Sequence, residues 1–132
     1  MQCEALVADD DLTSCLLLRS IIASSGMSCD VVHTGCDAVN AVANQDYVVA
    51  FIDLIMPEQN GDEAAARIHS MKSGRSPPVL VGIISYENAD QRNRCLAAGM
   101  SEVIAKPICR EAVRSILRRT QDAALEIQNQ QA

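Results

Sequence analysis

Five short apolar runs, each closing on a polar residue and each followed by a stretch of helical periodicity, constrain this chain more than any other feature. Glu4–Ala8 runs into Asp9, Asp10 and Asp11. Cys29–His33 is a weaker run around Val31 and Val32, Tyr47–Ile52 ends in Asp53, Val79–Ile84 ends at Ser85, and Glu102–Ala105 ends at Lys106-Pro107. Short runs dense in Val and Ile, bounded by turn residues, read as buried strands. Between them apolar residues recur three and four apart. Cys15, Leu18, Ile21 and Ile22 share a face over 11–25, with Gly26 as left-handed stop. Ala38, Val39 and Val42 do so over 36–43. A third helix opens with Asp62-Glu63, where acids suit the helix dipole, and turns Ala65, Ile68 and Met71 inward. A fourth spans about 88–98 before Gly99, and a fifth carries Val113, Ile116, Leu117, Thr120 and Ala124 on one face. A linker-like loop occupies 73–78.

Strands alternating with helices imply a parallel sheet covered on both faces by right-handed crossovers. The predicted class is α/β: a flavodoxin-like, doubly wound, five-stranded parallel sheet in the order 2-1-3-4-5 with five helices in three layers. A chain of 132 residues makes one domain, expected over 1–127, with 128–132 a polar, frayed tail. Phe51, Tyr47 and Tyr86 are the only aromatic residues, so the core is aliphatic.

A net charge of −6 argues against nucleic acid as the main partner. The charge is uneven: residues 1–104 carry 14 acids against 6 bases, and residues 105–132 carry 3 acids against 5 bases. Arg110, Arg114, Arg118 and Arg119 supply most of the excess, as a solvated helix face or as a docking face for an acidic partner. Cys3, Cys15, Cys29, Cys36, Cys95 and Cys109 form no C-x-x-C pair and no ligand spacing with His33 or His69, which speaks against a disulfide scaffold or a zinc site. The start of the chain has no basic region followed by a long apolar run, and no run approaches the ~20 residues needed to span a bilayer. A soluble cytoplasmic protein is expected.

In the predicted strand order the first and third strands are neighbours, and ligands bind outside the C-terminal ends of strands at such a switch point. Asp9, Asp10 and Asp53 meet there, and Ser85 and Lys106 join from the fourth and fifth strands. Three carboxylates in one hollow repel unless a cation intervenes. Mg²⁺ prefers oxygen ligands and keeps positions for a phosphoryl oxygen. Lys106 offers a mobile point charge and Ser85 a hydroxyl donor. Together they suit in-line phosphoryl transfer to a carboxylate nucleophile.

Asp9-Asp10 after LVA, Asp53 in FIDLIMPEQNG, Ser85 after VGII and Lys106-Pro107 in VIAKPI resemble, as an ordered set, the receiver domain of two-component response regulators over essentially the whole chain. The segment CLAAGMSEVIAKPI is similar to receivers attached to hybrid histidine kinases. The resemblance implies Asp53 as phosphoacceptor, Mg²⁺ on Asp10, Asp53 and the backbone carbonyl of Ile55 with Asp9 assisting, and Ser85 and Lys106 on the phosphoryl group. It implies a histidine kinase or histidine phosphotransfer protein as donor. It also implies a downstream protein partner, or a second copy of the chain, on the face built by the fourth helix, fifth strand and fifth helix, with Arg92, Arg94, Ile104 and the arginines of the fifth helix on that face. A Lys106-Pro107 cis bond is frequent in the family. Asp11 matches no required position and reads as a helix N-cap, while neither His33 nor His69 sits where a phosphodonor histidine is expected.

Four positions bear on how such a switch would work. Val103 stands where receivers commonly carry Phe or Tyr, and Tyr86 where a small residue usually follows the Ser/Thr. Ile55 and Glu87 occupy positions that tune phosphoaspartate hydrolysis, and an isoleucine there cannot position an attacking water, so slow autodephosphorylation is expected. Two other functions remain open at this point: a receiver-like binding module that no longer uses phosphate, which Val103 and Tyr86 favour, and an aspartate-nucleophile phosphohydrolase. The second would want an acid two residues after the nucleophile, where Ile55 stands.

Overall fold

The computed structural model describes residues 4–71 and 77–131, with side chains as far as residue 123. Strands and helices alternate as β1 (Ala5–Ala8), α1 (Leu12–Ser24), β2 (Cys29–Val32), α2 (Gly35–Asn44), β3 (Val49–Asp53), α3 (Gly61–Ser70), β4 (Val79–Ile84), α4 (Ala89–Ala97), β5 (Glu102–Ala105) and α5 (Arg110–Gln131). All strand pairs are parallel and the sheet order is β2-β1-β3-β4-β5, as the alternation predicts.

Side-chain alternation along each strand divides the core in two. Leu6, Ala8, Ala50, Ile52, Leu80 and Ile84 face α2, α3 and α4. Ala5, Val7, Val49, Phe51, Val81 and Ile83 face α1 and α5, where Cys15, Leu18, Ile21, Ile22, Val113, Ile116 and Leu117 meet them. β3 is buried along its whole length because it is central and covered on both faces, whereas β2, at an edge, is only half-buried. The aliphatic core follows from this: Phe51 is its one phenylalanine.

Local chemistry sets the ends of the elements. Asp11 caps α1, its Oδ1 accepting the Thr13 N–H at 3.1 Å, as expected of it. Thr34 and Asn88 do the same for α2 and α4 through the Asp37 and Gln91 amides. Gly26 and Gly99 adopt φ of 80° and 98° where α1 and α4 stop.

The fifth helix is the longest element. It continues to Gln131 because its Ala, Leu, Glu and Gln residues are good helix formers and no Gly or Pro interrupts them. Ala132, most of the 73–78 loop and the side chain of Ala124 lie outside the described residues. Not all the arginines expected on the α4–β5–α5 face are free there. Arg119 pairs with Glu102 of β5 and Arg94 with Asp62 of α3, while Arg114 and Arg118 line a hollow against α1, on the other flank of α5.

Candidate functional site

Pairing of Ala8 with Ile52 brings Asp9 and Asp53, the next residue of each chain segment, side by side at the C-terminal edge of the sheet. Asp9 is wholly buried, Asp53 is buried and Asp10 is exposed. One carboxylate oxygen from each lies within 4.8 Å of the other two. On the far side Ala105 pairs with Ile84, and the Lys106 N–H donates to the Ile84 carbonyl at 2.8 Å. Ser85 and Lys106 therefore leave neighbouring strand ends together. The Lys106 Nζ stands 3.3 Å from Asp53 Oδ2, 3.4 Å from Asp9 Oδ2 and 3.5 Å from Asp11 Oδ2. Its bond to Pro107 is cis. Ser85 is exposed at the rim.

One ammonium thus faces several carboxylates. Burial, then a hydrogen bond with Asp9 and the charge of Asp9, push the Asp53 carboxyl up to about 7, with Lys106 opposing. Burial works against the charge on Lys106, but Asp53 and Asp9 outweigh it and hold its pKa above the usual lysine value. Asp9 Oδ1 accepts the Asp11 N–H at 2.9 Å, whereas Asp9 Oδ2 is buried and accepts no hydrogen bond. The cation beside that oxygen is Lys106, at 3.4 Å and shared with Asp53 and Asp11, so its charge is only partly matched. An all-oxygen set whose carboxylate charge exceeds that of the one ammonium beside it fits a hard divalent ion such as Mg²⁺. The nearby imidazole and thiol are turned elsewhere: His33 Nδ1 and the Cys15 thiol reach the Asp9 backbone carbonyl at 3.0 and 3.1 Å. Burial, followed by the charges of Asp9 and Asp11, pushes Cys15 to about 11, so it keeps its proton and serves as donor.

The loop after β3 is held against Asp53. The Gly61 N–H donates to the Leu54 carbonyl at 2.7 Å, and a Cβ on Gly61 would lie 2.1 Å from the Asp53 carbonyl oxygen. Only glycine permits that approach. The Ile55 N–H reaches Asp53 Oδ1 at 3.4 Å while its side chain is 48% exposed. After β4, Glu87 receives both Arg92 Nε and Nη2, at 2.8 and 2.6 Å, and Arg92 Nη1 donates to the Val103 carbonyl at 3.1 Å. One arginine thereby ties the segment that follows Ser85 to β5. Tyr86 is 58% exposed, its hydroxyl 3.5 Å from Asn88 Nδ2, and Val103 is buried in the core.

The structure brings together Asp9, Asp10, Asp53 and Lys106, sets Ser85 beside Lys106, and leaves Ile55, Tyr86 and Glu87 around the opening. His69 lies against Gly99, apart from the acids. Sequence reasoning missed the reach of Asp11 to Lys106, the support of His33 under Asp9 and the Arg92 tie. A third consecutive acid was a signal for the first, but nothing in the sequence pointed to the others.

The family model of the response regulator receiver domain matches residues 5–118. Sensor histidine kinase RcsC of Salmonella typhi is 30% identical over 112 residues, which cover 85% of this chain and 12% of that protein. The receiver domain of sensor histidine kinase PA1611 from Pseudomonas aeruginosa PAO1, with a magnesium ion coordinated in its active-site cleft, superposes with a TM-score of 0.80 at 27% identity over 90% of this chain and 97% of that one. The receiver domain of Ssk1 from Saccharomyces cerevisiae, in co-crystal with the histidine phosphotransfer protein Ypd1, shares the fold with a TM-score of 0.75 at 21% identity, covering 85% of this chain and 83% of the other. The chain thus spans about an eighth of the length of a curated relative such as RcsC.

Proposed function

The chain belongs to the response regulator receiver domain family, and on that premise we propose that Asp53 accepts a phosphoryl group from a phosphohistidine on a partner. The observation that carries this reading is the convergence of Lys106 with buried Asp53 and Asp9 at one strand edge. An Asp53 carboxylate oxygen attacks phosphorus in line. The P–N bond breaks, the imidazole leaves with its electron pair and takes up a proton, and an aspartyl phosphate remains. Lys106 neutralises the transferring group, and the Ser85 hydroxyl donates to one of its oxygens. Asp10, Asp53 and the Ile55 carbonyl, with Asp9 beside them, would hold Mg²⁺, which would add to the neutralisation of phosphoryl charge. In this sense the domain catalyses its own phosphorylation and hydrolysis, though it is a signalling domain.

The donor must cover the opening to reach Asp53. Leu12, Leu16, Ile55 and Tyr86, four exposed large apolar side chains, belong to the segments that leave this edge. They suit an apolar surface on a histidine kinase or histidine phosphotransfer protein in the cytoplasm. Output then passes through movement of the Ser85 segment, restrained by Arg92, to the α4–β5–α5 face and a protein partner or second copy there. Energy for the shift comes from phosphate contacts that differ between the two states. A constitutive binding module is the second reading, favoured by buried Val103 where a switching ring is common.

Intact mass after incubation with acetyl phosphate separates them. A single phosphoryl adduct that requires Mg²⁺, is lost in EDTA and is absent from Asp53→Ala is expected. No adduct despite Mg²⁺ binding would overturn the phosphoacceptor reading in favour of the constitutive module.

A further inference from the structure

Arg110, Arg114 and Arg118 follow at four-residue intervals on α5 and so share one broad face, about 12 Å long at the helical rise. All three are exposed, and among the described residues no carboxylate stands at ion-pair distance from them, whereas Arg92, Arg94 and Arg119 each have one. Like charges one turn apart repel, so the row is unfavourable in isolation. Arg114 and Arg118, with Leu117 and Gln121, face Ser24 and Ser25 across a hollow of about 230 Å³ between α5 and the end of α1.

Capping of α1 does not account for the pair. The Ile21 carbonyl already accepts the Ser25 N–H and both the Ser24 and Ser25 hydroxyls, at 3.1, 2.8 and 3.0 Å. The Ile22 carbonyl accepts from Ser25 and Met27, and that of Ala23 from Gly26. The helix end itself is worth roughly half a negative charge, against two full guanidinium charges. The Asp9–Asp11 cluster is remote: α1 begins beside it and ends at the hollow, about 18 Å away along its axis, more than two screening lengths at physiological salt, and Glu111 and Asp122, one turn from Arg114 and Arg118 on α5, are not at ion-pair distance from them.

We propose that this hollow and the arginine row leading from it are a docking site for an acidic polypeptide segment. One carboxylate sits between Arg114 and Arg118 within reach of a rotated serine hydroxyl, and a following acid meets Arg110. Guanidinium forks match carboxylates in this way. The length of the row selects an extended polyanion over a small anion, which would use two of the three arginines. Because Arg119 and β5 lie on the other flank of α5, the occupant leaves the α4–β5–α5 face open.

The test is fluorescence anisotropy of a labelled alternating Glu-Ala peptide, with a Gln-Ala peptide and inorganic phosphate as comparisons. The Glu-Ala peptide alone should bind at low salt and weaken as salt rises. The R114E/R118E variant should bind about tenfold more weakly, while R19E/R119E, of the same net charge, should bind as wild type does. Thermal melting by circular dichroism shows that both variants are folded. Absence of peptide binding, or an equal loss in both variants, would overturn the site as a specific one. Phosphate binding as tightly as the peptide, at the same arginines, would overturn the polypeptide as occupant.

Discussion

At the scale of single residues, Ile55 is the side chain around the opening whose chemistry decides most. It stands two residues beyond Asp53 with its backbone N–H on the Asp53 carboxylate and its hydrocarbon 48% exposed. A water attacking an aspartyl phosphate would need a donor or acceptor to orient it, and isoleucine has neither. Ile55→Asn should shorten the phosphoryl lifetime by about tenfold, since a positioning group acts through orientation of the attacking water. Decay of the phosphorylated mass after removal of acetyl phosphate measures it. An unchanged lifetime would show that hydrolysis is governed elsewhere, with Glu87 the next candidate. Stability should move by no more than about 0.5 kcal/mol, because the side chain is at the surface.

At the scale of elements, the segment from β3 to α3 sets where Asp53 stands. Gly61 closes it onto the Leu54 carbonyl, with no room for a Cβ beside the backbone of Asp53. Gly61→Ala must displace backbone and not a flexible side chain, so it should cost about 1–3 kcal/mol and slow phosphorylation by acetyl phosphate. Urea unfolding and the rate of adduct formation report the two effects. Wild-type values for both would mean that the loop moves freely. The elements themselves were largely legible in the sequence. β4 and β5 match their apolar runs because Pro78, Ser85, Lys106 and Pro107 punctuate them. β3 begins at Val49, later than the apolar pattern suggests, since Tyr47 is buried with its hydroxyl on Asp30 and stands outside the ladder. The acids and Lys106 were readable because each ends a strand, where the alternation of the fold places it at the rim. The contact of Lys106 with Asp11 and that of Arg92 with Val103 were not readable. They join different elements through side-chain conformation, which no periodicity encodes.

At the scale of the whole molecule, an acid hollow that fits Mg²⁺ would set fold stability against metal binding. Asp53 ionises at an ordinary value of 3.8 when the chain is unfolded and only near about 7 in the folded, metal-free protein. Between those limits the folded state binds more protons than the unfolded one, so this group makes stability fall as pH rises, with the full cost reached above about 7. Mg²⁺ favours the ionised carboxylate and releases the proton, and its stabilisation follows mass action on the folded state alone. The increment in melting temperature from millimolar Mg²⁺ should therefore be small near about pH 5 and large near about pH 8. Asp53→Asn removes one repelling charge from beside Asp9. In EDTA near pH 8 it should melt above the wild type, by roughly 3–5 °C per kcal/mol relieved, while losing most of its response to Mg²⁺. Calorimetry of both proteins at the two pH values measures all four quantities, and the difference between them isolates Asp53 from other titrating groups. An equal Mg²⁺ increment at both pH values would show that the ion does not compete with a proton on Asp53. Its seat would then rest on Asp10 and Asp9, and the buried acid would serve phosphoryl transfer without holding the metal.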